Sequence, residues 1–359
     1  MARATAVQQE DAQPEADRLG AFPHPRETAR LFGQEAAEQA LLRAFADGRM
    51  HHAWLLCGRA GIGKATLAYR FAKHALVQPR ERRPGTLDVD HATSAARQVT
   101  ALSHPGLLLL RRPFDAKAKR FSSAIPVDDV RRLRTFLGLT AGEGSWRIVI
   151  VDTANDLNPS AANALLKSLE EPPSQTIFLL VSSEPSGLLP TIRSRCRRLT
   201  LAPLGTADLR NATELALQSA DAKRPNASQW ALIEELAEGS VRRALQFAGE
   251  GGLASHSALA GAMAKLPAVD WPAAHALADA MAGSANEQQF EMLCDLLLEL
   301  TGRMAHAGSR DNAQRAARLT AFWSTFVRQK SEVDLLNLDR KAFILNAFNN
   351  LQQAVDKEY

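Results

Sequence analysis

Residues 58–66 read GRAGIGKAT. The stretch is one position short of the phosphate-loop pattern G-x-x-x-x-G-K-[ST], which Gly58, Gly63 and Lys64 satisfy. Ala65 stands where a serine or threonine hydroxyl would meet a metal ion. Thr66 follows one residue later, about 100° further round a helix, so its hydroxyl is expected to point elsewhere. Such a loop works by aiming backbone N–H groups at a phosphate at a helix N-terminus, and Gly58, Gly61 and Gly63 permit that close approach. Lys64 would meet the terminal phosphates.

The flanks supply the required context. HHAWLLCG, residues 51–58, predicts a short buried strand, and KATLAYRFAKHAL, residues 64–76, predicts a helix. Upstream, Ala37, Leu41, Leu42 and Phe45 recur at helical spacing, which predicts a helix over 34–47 ending near Gly48. Downstream, GLLLLRRP (106–113) predicts a second strand. PVDDVRRLRTFLGLT (126–140) predicts an amphipathic helix presenting Val130, Leu133 and Leu137. RIVIVD (147–152) is apolar on both faces, which predicts a central strand of a parallel sheet. In NPSAANALLKSLEEPP (158–173), Asn158 suits an N-cap and Pro159 the first helical position. Ala162, Leu165, Leu166 and Leu169 form its stripe, and Pro172 and Pro173 stop it. TIFLLVS (176–182) predicts another buried strand. Residues 78–106 carry little pattern and are expected to be mostly loop. Beyond 205 no strand is expected, and stripes such as Phe290, Leu293, Leu296, Leu297 and Phe343, Leu345, Phe348, Leu351 predict helices. This alternation predicts an α/β domain with a parallel sheet followed by helical units.

Composition narrows the class. The chain has 359 residues, is 46% hydrophobic and only 6% aromatic, and carries a net charge of +4. That length accommodates two or three domains, and the mild positive charge permits an anionic partner without requiring one. Residues 111–134 hold eight Arg or Lys against three Asp, and 193–198 hold four Arg. Cys57, Cys196 and Cys294 are far apart, so neither a disulfide framework nor a cysteine zinc site is expected, and free thiols fit a reducing compartment. The polar start lacks an apolar signal core, and no 18-residue apolar run occurs. The expectation is a cytoplasmic chain, away from membranes, with a disordered tail over 1–25.

RIVIVD also tests catalysis. Its strand ends in Asp152, placed like a Walker-B aspartate that reaches a metal, but Thr153 follows where many such ATPases carry a water-orienting glutamate. Two losses in one site predict inefficient hydrolysis.

Four stretches now carry a resemblance: HHAWLLCGRAGIGKATLAYRFA (51–72), NPSAANALLKSLEEPP (158–173), TIFLLVSSEPSGLLPTIRSRCRRL (176–199) and GSVRRALQFA (239–248). In this order and spacing they resemble the AAA+ clamp-loader subunits of bacterial DNA polymerase III. The resemblance implies an AAA+ P-loop domain (26–204), a small helical lid (205–255) and an all-α collar (256–359) that joins neighbouring subunits. It implies that Arg195, in Ser194-Arg195-Cys196, is an arginine finger projecting into a neighbouring subunit's ATP site. It implies a phosphate sensor at Ser182 or Ser183, with no choice between them, and a lid sensor at Arg242, with Arg243 beside it. Lys167 lies on a helix that the family pattern puts near a subunit interface.

The implied ligand is ATP or ADP in a weak or vestigial site formed by Gly58, Gly61, Gly63, Lys64, Thr66, Asp152 and Arg242. The implied partners are the tau/gamma ATPase subunits and the delta subunit, with the sliding clamp and primed DNA reached through the assembled complex. Ala65 and Thr153 move the chain toward the non-hydrolysing members and away from a tau/gamma-type ATPase, the first rival reading. The second rival, a nucleic-acid-binding accessory module, rests on the basic run 111–134. Many relatives insert a four-cysteine zinc module where residues 78–106 have no cysteine. His74, His91 and His104 lack a thiolate partner there, so no metal is expected.

Overall fold

The computed structural model describes residues 14–28, 30–117, 120–138, 146–249, 251–281, 287–308, 312–336 and 338–356. Two compact units emerge. One holds the described residues up to Ala222 together with Ala237–Arg243, the other Lys223–Leu236 together with the described residues from Ala244 onward.

In the first unit the order is α1 (Glu35–Ala46), β1 (Ala53–Cys57), α2 (Lys64–Leu76), α3 (Ser94–Thr100), β2 (Leu107–Leu110), β3 (Phe114–Asp115), β4 (Arg120–Phe121), α4 (Val127–Gly138), β5 (Arg147–Val151), α5 (Pro159–Glu170), β6 (Thr176–Ser182), α6 (Pro190–Arg195), β7 (Arg197–Thr200) and α7 (Thr206–Ser219). The sheet runs β2-β5-β6-β1-β7, every pair parallel. Every residue of β1 and β6 is buried. Ala53, Leu55 and Cys57 share one face with Leu110, Val149, Val151, Phe178 and Leu180, covered by Val130, Leu133, Leu165 and Leu169 from α4 and α5. Helix α2 packs on β5 and β6. Two covered faces explain why these strands read as unbroken apolar runs. A separate antiparallel pair joins β3 to β4, with Phe114 against Phe121 edge-on at 5.2 Å.

The expected strands and helices of this unit are present at the expected places. Strand β7, helix α3 and the β3–β4 pair were not expected. Edge strand β7 escapes a hydrophobic reading because Arg197 and Arg198 face outward, as charged edges do; the Arg197 guanidinium covers the Trp54 ring at 4.8 Å. Residues 14–25, expected within a disordered tail, are instead pinned. Glu15 pairs with Arg18, Arg26 and Arg111, Asp17 with His24 and Arg111, and Arg18 with Glu27. Arg111 lies at the end of β2, so the pairing is long-range and leaves no local pattern. The rest of that expected tail, 1–13, lies outside the described residues.

The second unit contains most of α8 (Ala227–Ala237) and α9 (Val241–Ala248), then α10 (Gly252–Ala264), α11 (Trp271–Ala280), α12 (Glu287–Gly308), α13 (Ala313–Leu336) and α14 (Arg340–Asp356). Phe290, Phe326 and Phe343 interlock, with ring centroids 4.8–6.0 Å apart, and Leu293, Leu297, Phe348 and Leu351 are fully buried. On α14 the stripe is Phe343, Ile344, Ala347, Phe348 and Leu351; Leu345, expected on it, is only half-buried.

The Asn158 side chain accepts a hydrogen bond from the Ala161 N–H at 2.7 Å, capping α5. Asn158→Ala should therefore lower unfolding free energy by about 1 kcal/mol in denaturant titration, with no change in the sheet's circular-dichroism signature.

Candidate functional site

Parallel register brings the site residues to one edge. Cys57, the last residue of β1, pairs with Ser182 of β6, and Val151, the last of β5, pairs with Leu180. The loop after Cys57, Asp152 after Val151, and Ser182 therefore all emerge at the carboxyl ends of the strands, where open α/β sheets bind ligands.

The loop has phosphate-binding geometry. Gly63 is the N-cap of α2 with φ +100°, and Gly61 has φ +77°. Gly61 also has no room for a side chain: a Cβ there would lie 2.4 Å from Ser240 Oγ and 2.5 Å from Arg242 Cβ. The 237–243 segment docks on the loop through Ser240 Oγ, which donates to the Ala60 carbonyl at 2.9 Å, and through Val241 N–H, which donates to the Gly61 carbonyl at 2.9 Å. An ion pair, Arg59–Glu238 at 2.6 Å, flanks it. Arg242 is thus brought to the loop by its own backbone neighbours. Gln34, which the sequence did not single out, braces the other side by donating to the carbonyls of Ile62 (3.1 Å) and Ala202 (2.7 Å). Its signal was faint, a polar residue at a helix start.

Among the described residues, no hydrogen bond engages the N–H groups of Ala60 through Gly63. Unpaired amides converging at the start of a helix fit a phosphate anion. Lys64 Nζ instead donates to the carbonyls of Gly58 (2.6 Å) and Arg59 (2.5 Å). Burial pushes the Lys64 ammonium down to about 8, against the pull of Asp152. Burial likewise pushes the Asp152 carboxyl up to about 7; Asp17 adds to this, while the Thr153 hydroxyl and Lys64 oppose it. Asp152 Oδ2 is buried with no hydrogen-bond partner, as is Tyr69 Oη on α2. Tyr69 is raised well above its ordinary range by burial and by the charges of Asp17 and Asp152. Thr66 is buried. Thr153 Oγ1 lies 3.4 Å from Asp152 Oδ1 and provides no carboxylate. The glycine loop and Lys64 suit a phosphate group; among the described residues no cluster of three or more His, Cys, Asp or Glu could hold a metal.

Ser182 is fully buried and donates to Asn155 Oδ1 at 2.8 Å, while Asn155 Nδ2 donates to the Glu184 carbonyl at 2.7 Å; Ser183 is exposed. Arg195 is the last residue of α6. Its Nη2 pairs with Glu170 Oε1 at 2.7 Å and its Nη1 donates to the Thr191 carbonyl at 3.0 Å. Burial pushes the neighbouring Cys196 thiol up to about 12, which favours its protonated form. Lys167 on α5 is exposed.

Residues 33–205 match the family model described as DNA polymerase III, delta subunit. The DNA polymerase III subunit delta' of Pseudomonas aeruginosa is 42% identical over 160 residues, 44% of this chain and 46% of that one. Over this part of its length the chain is similar to subunits of DNA polymerase III. Subunit delta' of Escherichia coli is 35% identical over 165 residues, 46% of each chain. Subunit tau of Escherichia coli is 29% identical over 294 residues, 81% of this chain and 41% of that one. The chain thus spans about half the length of the delta' relatives that it matches. The segment matched by that family model contains the loop, Asp152 and Arg195, and stops before Arg242. Among the described residues, no helix is long and apolar enough to cross a membrane.

Because the folded-state carboxyl of Asp152 titrates near 7 against an ordinary 3.8, its ionisation opposes folding. The penalty is absent below about pH 3.8, grows as pH rises, and is complete above about pH 7. Asp152→Asn should raise unfolding free energy at pH 8 by on the order of 4 kcal/mol and do nearly nothing at pH 4. Parallel denaturant curves at the two pH values check this.

Proposed function

We propose that this chain is a delta-prime-type clamp-loader subunit that acts on a neighbouring ATPase in trans. Arg195 carries the reading: its guanidinium is half-exposed at the end of α6, anchored at two nitrogens, within the Ser-Arg-Cys stretch. Placed against a neighbour's nucleotide, it would stabilise charge developing on the transferred phosphoryl group. The chain's own loop would hold a nucleotide phosphate through the amides of Ala60–Gly63, with Lys64 turning from the loop carbonyls to that anion and Arg242 approaching from the docked segment. Bound ATP or ADP would supply occupancy, not turnover, because Ala65 and Thr153 leave the metal and the attacking water without their side chains. Ser182, tied to Asn155, is the better sensor than exposed Ser183, since its hydroxyl stands at the strand end beside the loop.

The helices beyond Thr206 serve as a lid, 205–255, and a collar, 256–359, through which tau/gamma and delta subunits join a cytoplasmic ring that opens a sliding clamp on primed DNA. A second reading, an ATPase of tau/gamma type, gains from the longer match to subunit tau. It loses on the two residues at the loop and the strand end.

The test is clamp- and DNA-stimulated ATPase of the complex rebuilt with tau/gamma and delta partners. Arg195→Ala should cut the rate by roughly an order of magnitude or more, and Lys64→Ala should leave it close to wild type. Loss of rate with Lys64→Ala alone would make the chain an ATPase and overturn the proposal.

A further inference from the structure

Arg195 is not held by its own helix alone. Helix α5 ends at Glu170, and its carboxylate reaches across to Arg195 Nη2 at 2.7 Å, while the Thr191 carbonyl one turn back in α6 accepts from Nη1 at 3.0 Å. These contacts fix both the plane and the direction of the guanidinium. An unanchored arginine side chain samples many rotamers, and confining it to one opposes any reaction that requires it there. Glu170 also comes from a stretch, Leu169-Glu170-Glu171-Pro172-Pro173, whose prolines end the helix and so fix where the carboxylate stands.

We infer that Glu170 is the positioning residue for Arg195, setting its guanidinium in the direction that a neighbouring subunit's phosphate requires. The inference rests on the proposed in-trans role of Arg195. The strength of the pair suits that task. The two side chains are 36% and 47% exposed, and an ion pair so open to water is weak. It orders the arginine without competing strongly against a multiply charged phosphate. The guanidinium has five N–H donors, so those not engaged by Glu170 and Thr191 remain to meet an anion while the anchor holds. Glu171 also lies at the helix end and is exposed, but Arg195 pairs with Glu170.

The experiment uses the full chain in the rebuilt complex, with stimulated ATPase measured as kcat and KM for ATP, and the isolated full chain for side-chain dynamics. Glu170→Ala should lower kcat by roughly 3- to 30-fold, the range set by freeing one arginine side chain, with KM unchanged. Glu170→Gln, which keeps an oxygen acceptor, should recover part of the loss. In an Arg195→Ala background Glu170→Ala should add nothing. In the isolated chain, 15N relaxation of the Arg195 Nε–Hε group should show the side chain loosened by Glu170→Ala at unchanged thermal stability.

An increase in kcat would make Glu170 a parking anion and overturn the inference. Unchanged kcat, an equal loss in the Arg195→Ala background, or unaltered side-chain order would overturn it too. If Arg195→Ala by itself leaves kcat intact, the in-trans reading fails first and the inference falls with it. That outcome is separable from failure of Glu170 alone, in which Arg195→Ala is damaging and Glu170→Ala is silent.

Discussion

The parallel pairing of β5, β6 and β1 is the constraint on which the site depends. With both faces of these strands buried, a slip of one residue would turn alternate side chains from one packed face to the other. Register is therefore tightly held, and with it the level at which each strand ends. Cys57, Val151 and Ser182 end close to one edge because their partners along the strands leave no other arrangement. The glycine loop, Asp152 and the Ser182–Asn155 pair inherit their proximity from that packing. They make few contacts that would assemble them unaided.

At that edge, burial dominates the electrostatics. Lys64 and Asp152 are both desolvated, and burial shifts each toward its neutral form. The 14–27 segment contributes a polar cluster in which burial alone would raise the Glu15 carboxyl but Arg26, Arg111 and Arg18 hold it near 2. Asp17 of the same segment raises Asp152. The segment is thus an electrostatic neighbour of the strand-end aspartate, built from charges that would otherwise suggest a solvated leader. The lysine bonds to its own loop and one carboxylate oxygen of Asp152 is buried without a hydrogen-bond partner.

Much of this was readable from local pattern. Strands β1, β5 and β6 are apolar runs bounded by turn residues. Helices α1, α4 and α5 show their periodicity, and Asn158 and Pro159 mark where α5 begins. The candidate loop and Asp152 were readable because glycine and lysine spacing encodes a backbone shape that few other functions require. The failures share one cause. Strand β7 hides because its exposed arginines conceal an edge position. Gln34 and Ser240 matter only through carbonyls of residues 28 to 180 positions away. The pinned segment 14–27 depends on Arg111, and the Glu170–Arg195 pair joins two helices separated by a whole strand.

Residue order alone fixed the element types, the strand–loop–helix context of the loop, and the absence of a hydroxyl at Ala65 and of a carboxylate at Thr153. These are properties of neighbouring residues, set by periodicity and side-chain chemistry. Folding decided which strand ends meet, that Ser182 is buried while Ser183 is exposed, that Arg242 reaches the loop, and which acid holds Arg195. Those depend on distances between residues far apart in the chain, and local propensity carries no record of them. They exist only once the apolar faces of the sheet are buried and the register is locked.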